Sequence, residues 1–130
     1  MPTAIDTSVL IHAEHAGNLD ILLPQGEEGP FYIPAHAAAE FLAGLYPPAT
    51  PRMQERTRRF YQEYLRDLVD VFGEAEAAEL ARLNAEMRRM GKPLKFYDAA
   101  IAATARARGD KLITSDDDFD RVSNLNLIKI

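Results

Sequence analysis

Apolar residues fall along this chain in short bursts, each ending at a polar or acidic position. Ala4-Ile5 is the first and stops at Asp6. The run SVLIHAEHA that follows predicts a short helix ended by Gly17, a residue suited to the left-handed turn that closes helices. Phe31 to Ile33 predicts a strand. Pro34 then stands where a helix accepts proline, at its start, and that helix stops at Pro47-Pro48. In PRMQERTRRFYQEYLRDL, Phe60, Tyr61, Tyr64, Leu65 and Leu68 recur at helical spacing, which predicts an amphipathic helix. LVDVF predicts a strand and Glu74 to Met90 a helix ended by Gly91. YDAAIAATARAR predicts an alanine-rich helix closed by Gly109, KLITSD a strand running into acids, and LNLIKI a last strand.

Strand and helix alternate through most of this pattern, which predicts an α/β fold with a parallel sheet covered by helices on both faces. No repeat or low-complexity stretch interrupts it, and YPPATP at 46–51 reads as a rigid turn. One domain is expected over residues 1–130, enough chain to bury roughly 65–70% of its unfolded surface. The 47% hydrophobic content fits an ordinary globular protein, and no apolar run has the length of a membrane span. The start MPTAID lacks the basic and apolar regions of a signal peptide, so no membrane association is expected. The absence of cysteine removes disulfides and thiolate metal sites and fits a reducing cytoplasm. His12, His15 and His36 are too few and too poorly spaced for a zinc site, so any metal is expected on oxygen.

Twenty acids against 15 bases give a net charge of −5. That balance argues against a protein whose main task is coating nucleic acid, but not against an enzyme that holds cations on clustered acids. Each acid has a plain structural alternative. Asp6 sits at a strand-to-helix turn, where a helix cap is the plain alternative. Asp98 precedes an alanine-rich helix and has the same alternative. Asp116, Asp117 and Asp118 follow LIT and fit a solvated turn. Glu40 is the one acid in the apolar run AHAAAEFLAGL; unless it reaches water at the edge of that face, it needs a partner. Together they form a pattern. Asp6 and Asp116 each end a predicted strand, Asp98 precedes another, and Glu40 lies on a helix leaving the same edge. Functional crevices in open α/β sheets lie at the carboxyl ends of the strands. Four unpaired carboxylates gathered there call for a cation such as Mg²⁺ or Mn²⁺, which suits oxygen ligands.

At these residues the chain resembles a known family. AIDTSVLI, AAAEFLAGL, YDAAIAATARARGDKLITSDDDF and LNLIKI are similar to the PIN domain, and more narrowly to the VapC-type toxins of toxin–antitoxin pairs. The resemblance implies a three-layer domain with a central, mostly parallel sheet, acting as an Mg²⁺- or Mn²⁺-dependent endoribonuclease. By motif, it implies an acidic quartet of Asp6, Glu40, Asp98 and Asp116, with Asp118 as an additional acid beside the metal. Ser8 and Thr114 match hydroxyls that accompany the first and last acids. Tyr97 departs from the small residue often found before the third acid, which bears on substrate fit. The resemblance further implies an antitoxin partner and pairing of the toxin with itself as a homodimer.

Grip on RNA must come from bases. The clusters are Arg56, Arg58 and Arg59; Arg88, Arg89, Lys92 and Lys95; and Arg106, Arg108 and Lys111. The second is favoured because it directly precedes Asp98; the alternative for each is a solvated helix face. Tyr46, Phe60, Tyr61 and Tyr64 are expected in the core. Two competing functions remain open: an aspartyl phosphatase of the haloacid dehalogenase type, which would want an Asp where Ser8 stands, and a PIN-like module that binds without turnover.

Overall fold

The structure, a computed structural model, describes residues 2–20 and 29–130. Five strands form a sheet: β1 (Thr3–Ile5), β2 (Phe31–Pro34), β3 (Val69–Asp70), β4 (Lys111–Thr114) and β5 (Asn126–Lys129). Their order is β3-β2-β1-β4-β5, and every neighbouring pair is parallel. Five α-helices flank the sheet: α1 (Thr7–Ala16), α2 (Ala35–Leu42), α3 (Pro51–Phe60), α4 (Glu74–Arg89) and α5 (Phe96–Arg108). The chain therefore builds outward from β1 to β3, then returns across the sheet to β4 on the other side of β1. That reversal opens a crevice at the carboxyl ends of β1 and β4.

The central strands are apolar and buried throughout, as parallel strands covered on both faces should be. Ala4, Ile5, Leu112 and Ile113 have no solvent exposure. They pack in one core with Val9 and Leu10 of α1, Phe41 of α2, Leu83 of α4, Ile101 of α5 and Phe119. In α5, positions 99–105 are all buried. Alanine dominates there because a helix enclosed on all sides needs small side chains for close approach. Gly17 and Gly109 close α1 and α5 at φ 76° and 69°, where a side chain would be strained.

Three expectations need correction. The strand expected over LVDVF is only Val69–Asp70, because Phe72 turns away to set its ring 4.5 Å from that of His36, edge to face. The single helix expected from Pro51 loses regular form after Phe60, passing through a π turn (Tyr61–Leu65) and a 3-10 turn (Arg66–Leu68). Phe60 is buried and Tyr61 partly buried in the core, but Tyr46 and Tyr64 are exposed.

Candidate active site

The local geometry begins at β1. The backbone N–H of Asp6 donates to the Ile113 carbonyl at 3.0 Å, which fixes the end of β1 against β4. Asp6 then caps α1, its carboxylate accepting from the Ser8 N–H. The same oxygen, Oδ2, lies 2.7 Å from both Ser8 Oγ and Thr114 Oγ1. Each hydroxyl has one proton, and each spends it on Asp6, so the 3.3 Å approach between them is a contact of two acceptors. Their lone pairs are used as well: Ser8 Oγ accepts from the Ser115 N–H and Thr114 Oγ1 from the Asp116 N–H. Asp116 Oδ1 in turn accepts from the Asp118 N–H. One chain of bonds thus runs from Asp6 to Asp118. Asp6 is both a cap and a wall of the crevice.

Asp98 approaches from α5. The plain alternative, a helix cap, does not hold: the helix begins at Phe96, so Asp98 occupies its first turn and caps nothing. Its side chain is buried, and no hydrogen-bond donor or cation meets it among the described residues. Burial, then the charges of Asp6, Asp116, Glu40 and Asp118, push its carboxyl up from 3.8 to about 6. Oxygens of Asp98, Asp116 and Asp118 lie within 4.8 Å of one another. Asp6, Glu40, Asp98 and Asp116 line one cavity of about 200 Å³, together with Thr7, Ser8 and Ile11. The one ion pair these five acids make among the described residues is that of Asp118 with the partly exposed Arg121, at 3.6 Å. All five predicted acids and both predicted hydroxyls therefore come together.

The basic clusters divide. Arg106 is buried in ion pairs with Glu79 and Glu86 of α4. Arg108 pairs with Asp70 and Glu76 and covers the ring of Tyr32. These two arginines hold elements together and are not available to a substrate. Arg56 pairs with Glu14, and Arg58 and Arg59 with Glu55. Arg88, Arg89, Lys92 and Lys95 are exposed and make no ion pair among the described residues. Phe72 and Phe96, absent from the sequence reading, surround His36, one helical turn from Glu40. His36 Nδ1 is buried without a partner among the described residues, and burial lowers the imidazole pKa.

The family model for the PIN domain matches residues 3–125. The chain belongs to the PIN domain family. This retires the phosphatase reading, in keeping with Ser8 at the position where that reading wants a second acid. Solved structures resemble this PIN domain over nearly its whole length. VapBC from Salmonella typhimurium, bound to DNA, gives a TM-score of 0.83 at 20% identity, covering 99% of this chain and 98% of that one. VapBC2 from Rickettsia felis, bound to a fragment of its promoter, gives 0.78 at 21%, covering 100% and 99%. VapBC-5 from Mycobacterium tuberculosis, a toxin-antitoxin system, gives 0.75 at 23%, covering 99% and 98%. Likeness at this identity is likeness of fold. No curated protein matches the sequence. No helix among the described residues is long and apolar enough to cross a membrane.

Proposed function

We propose that this PIN domain is a divalent-cation-dependent endoribonuclease, the toxin of a toxin–antitoxin pair. One observation carries the reading: carboxylates from four separate stretches of chain line one small cavity at the sheet's reversal point. Such crowding is costly to an ordinary fold. Burial and the neighbouring acids raise the Asp98 carboxyl to about 6, as expected of a site missing positive charge. Hard oxygen donors within 4.8 Å of one another fit Mg²⁺ or Mn²⁺. Asp98, Asp116 and Asp118 would hold the ion, with Asp6 and Glu40 on the adjoining walls. When bound, the cation supplies acidified water and offsets charge developing on a phosphodiester.

The chain's own residues do the rest. Ser8 and Thr114 hold Asp6 by one oxygen and leave Oδ1 as the acceptor toward substrate or solvent. Thr114 also receives the Asp116 N–H, so a single side chain sets the spacing of two acids. Glu40, half-buried on the cavity rim, is placed to accept a proton from an attacking water. Hydrolysis then forms one P–O bond, breaks another, and leaves a proton for the departing oxygen. Arg88, Arg89, Lys92 and Lys95 offer unpaired positive charge for the RNA backbone. Solved neighbours include complexes of toxin–antitoxin systems, which supports an antitoxin partner; pairing of the chain with itself as a homodimer is part of the same proposal.

The test is cleavage of total RNA by the antitoxin-free protein in Mg²⁺, in Mn²⁺ and in chelator, beside Asp98→Asn. Cuts that require the cation and vanish in the variant are expected. Cutting that persists in chelator, or in Asp98→Asn, would remove the proposal; a wild type that binds RNA and cuts none would make it a binding module.

A further inference from the structure

The first turn of α5 carries two exposed aromatic side chains immediately ahead of Asp98: Phe96 is 61% exposed and Tyr97 40%. Leaving two large rings in water beside a polar site is unfavourable unless something covers them. Phe96 is nevertheless held in place. Its ring meets His36 edge-on at 5.6 Å and Tyr97 at 5.7 Å, and His36 is itself wedged against Phe72. A ring braced in this way loses little freedom when a ligand stacks on it.

Beside Phe96 lies a cleft of about 240 Å³ between the last turns of α4 and the start of α5, lined by Asn84, Met87, Arg88, Pro93 and Leu94. Its volume falls below the ~300 Å³ at which pockets for drug-sized ligands begin, too small for a partner's helix. Its polar members are unspent. The Asn84 amide makes no hydrogen bond and Arg88 no ion pair among the described residues, and Lys92 and Lys95 stand exposed on the loop between the helices. An aromatic face, an amide able to donate and accept, and surrounding cations together match a base, its edge and its phosphates.

We infer that this cleft is a nucleobase pocket: Phe96 stacks an unpaired base of the strand cut at the carboxylates, Asn84 reads that base's edge, and Arg88 holds the adjoining phosphate. The identity of the strand rests on the nuclease reading above. The base must be unpaired, because a ring can reach a base face only where the stack is open. Phe96 and Asp98 lie two residues apart in the first turn of α5, about 3 Å along its axis but on different faces, so a strand reaching both the cleft and the carboxylates has to cross that turn. The pocket thus selects single-stranded sites and favours certain bases next to the cut.

The probe is a fluorescein-labelled 12-nucleotide RNA of mixed sequence, single-stranded or annealed to its complement. Phe96→Leu, Phe96→Tyr and Asn84→Ala are made singly for cleavage and on the Asp98→Asn background for anisotropy binding. Loss of the aromatic face in Phe96→Leu should weaken single-strand binding roughly 5- to 150-fold. Phe96→Tyr should stay within about threefold, duplex binding should be insensitive, and photo-crosslinking of iodouridine RNA should fall on Phe96. Asn84→Ala should change which bases are preferred more than overall affinity. Binding within twofold of the parent in Phe96→Leu, or equal loss in Phe96→Tyr, overturns the pocket. So does a loss confined to binding of a protein partner. Metal-dependent cutting with unchanged binding in Phe96→Leu would end this inference and leave the nuclease standing. Phe96-dependent binding without any cutting would do the reverse, and no single-strand binding at all would end both.

Discussion

Replacing Asp98 by Asn should make the cation-free protein more stable while abolishing its proposed activity. The carboxyl moves from 3.8 to about 6 on folding. A group whose pKa rises on folding binds more protons in the folded state, so its charge opposes folding once the pH passes the folded value. The penalty is absent below about pH 4, grows between about pH 4 and 6, and is complete at neutrality. At about 1.4 kcal/mol per tenfold change in proton affinity, the shift corresponds to about 3 kcal/mol. The carboxylate also borders an open cavity, and solvent there reduces the figure to between about 1 and 3 kcal/mol. Asn keeps the shape and carries no charge. For a chain of this length each kcal/mol moves the melting temperature by roughly 3–4 °C, so the variant should melt about 3–10 °C higher at pH 7.5 in chelator. The advantage should disappear near pH 4. Saturating Mn²⁺ should reverse the order, since a ligand that binds only the folded wild type raises its melting point. Thermal denaturation of both proteins at several pH values, with and without Mn²⁺, is sufficient. Equal melting points in chelator at pH 7.5 would refute the electrostatic reasoning.

Three further outcomes follow from the same geometry. Cation affinity, measured by calorimetry, should fall about tenfold per pH unit below 6, because Asp98 must lose its proton to bind; a flat profile would mean that Asp98 is not a ligand. Thr114→Val removes the hydroxyl that donates to Asp6 and accepts from the Asp116 N–H. It should cost about 1–3 kcal/mol in urea denaturation and lower cleavage more than Ser8→Ala does; a fully active variant would separate the hydroxyl from the chemistry. Arg106→Met breaks the buried pairs with Glu79 and Glu86. It should destabilise by up to about 3–5 kcal/mol with little change in RNA affinity, whereas a selective loss of RNA binding would return Arg106 to the substrate face.

The sheet and the acids were legible for a common reason. Each informative residue sits where a local pattern breaks: Asp6 and Asp116 stop apolar strands, and Glu40 interrupts an apolar helix. Such breaks can be read without knowing what lies opposite. The basic residues could not be sorted that way. Arg106 and Arg88 look alike in sequence, and what separates them is Glu79, 27 residues before Arg106 and brought to it by the packing of α4 on α5. For Asp98 only the cap alternative fails, because α5 starts at Phe96 and leaves Asp98 inside its first turn. The exposure of Tyr46 and the turning away of Phe72 toward His36 likewise depend on partners distant in the chain.

The bonds from Thr114 and Ile113 to Asp6 join residues more than a hundred positions apart. A nascent chain emerging from the ribosome therefore carries Asp6, Ser8 and Glu40 long before the residues that orient and complete them exist. At roughly 5–20 residues per second, several seconds separate the synthesis of β1 from that of β4. During that interval the acids are spread along an unfinished sheet, with no cavity to share. If the acids cut RNA as proposed above, that chemistry is assembled only when β4 closes against β1, after most of the polypeptide has been synthesised.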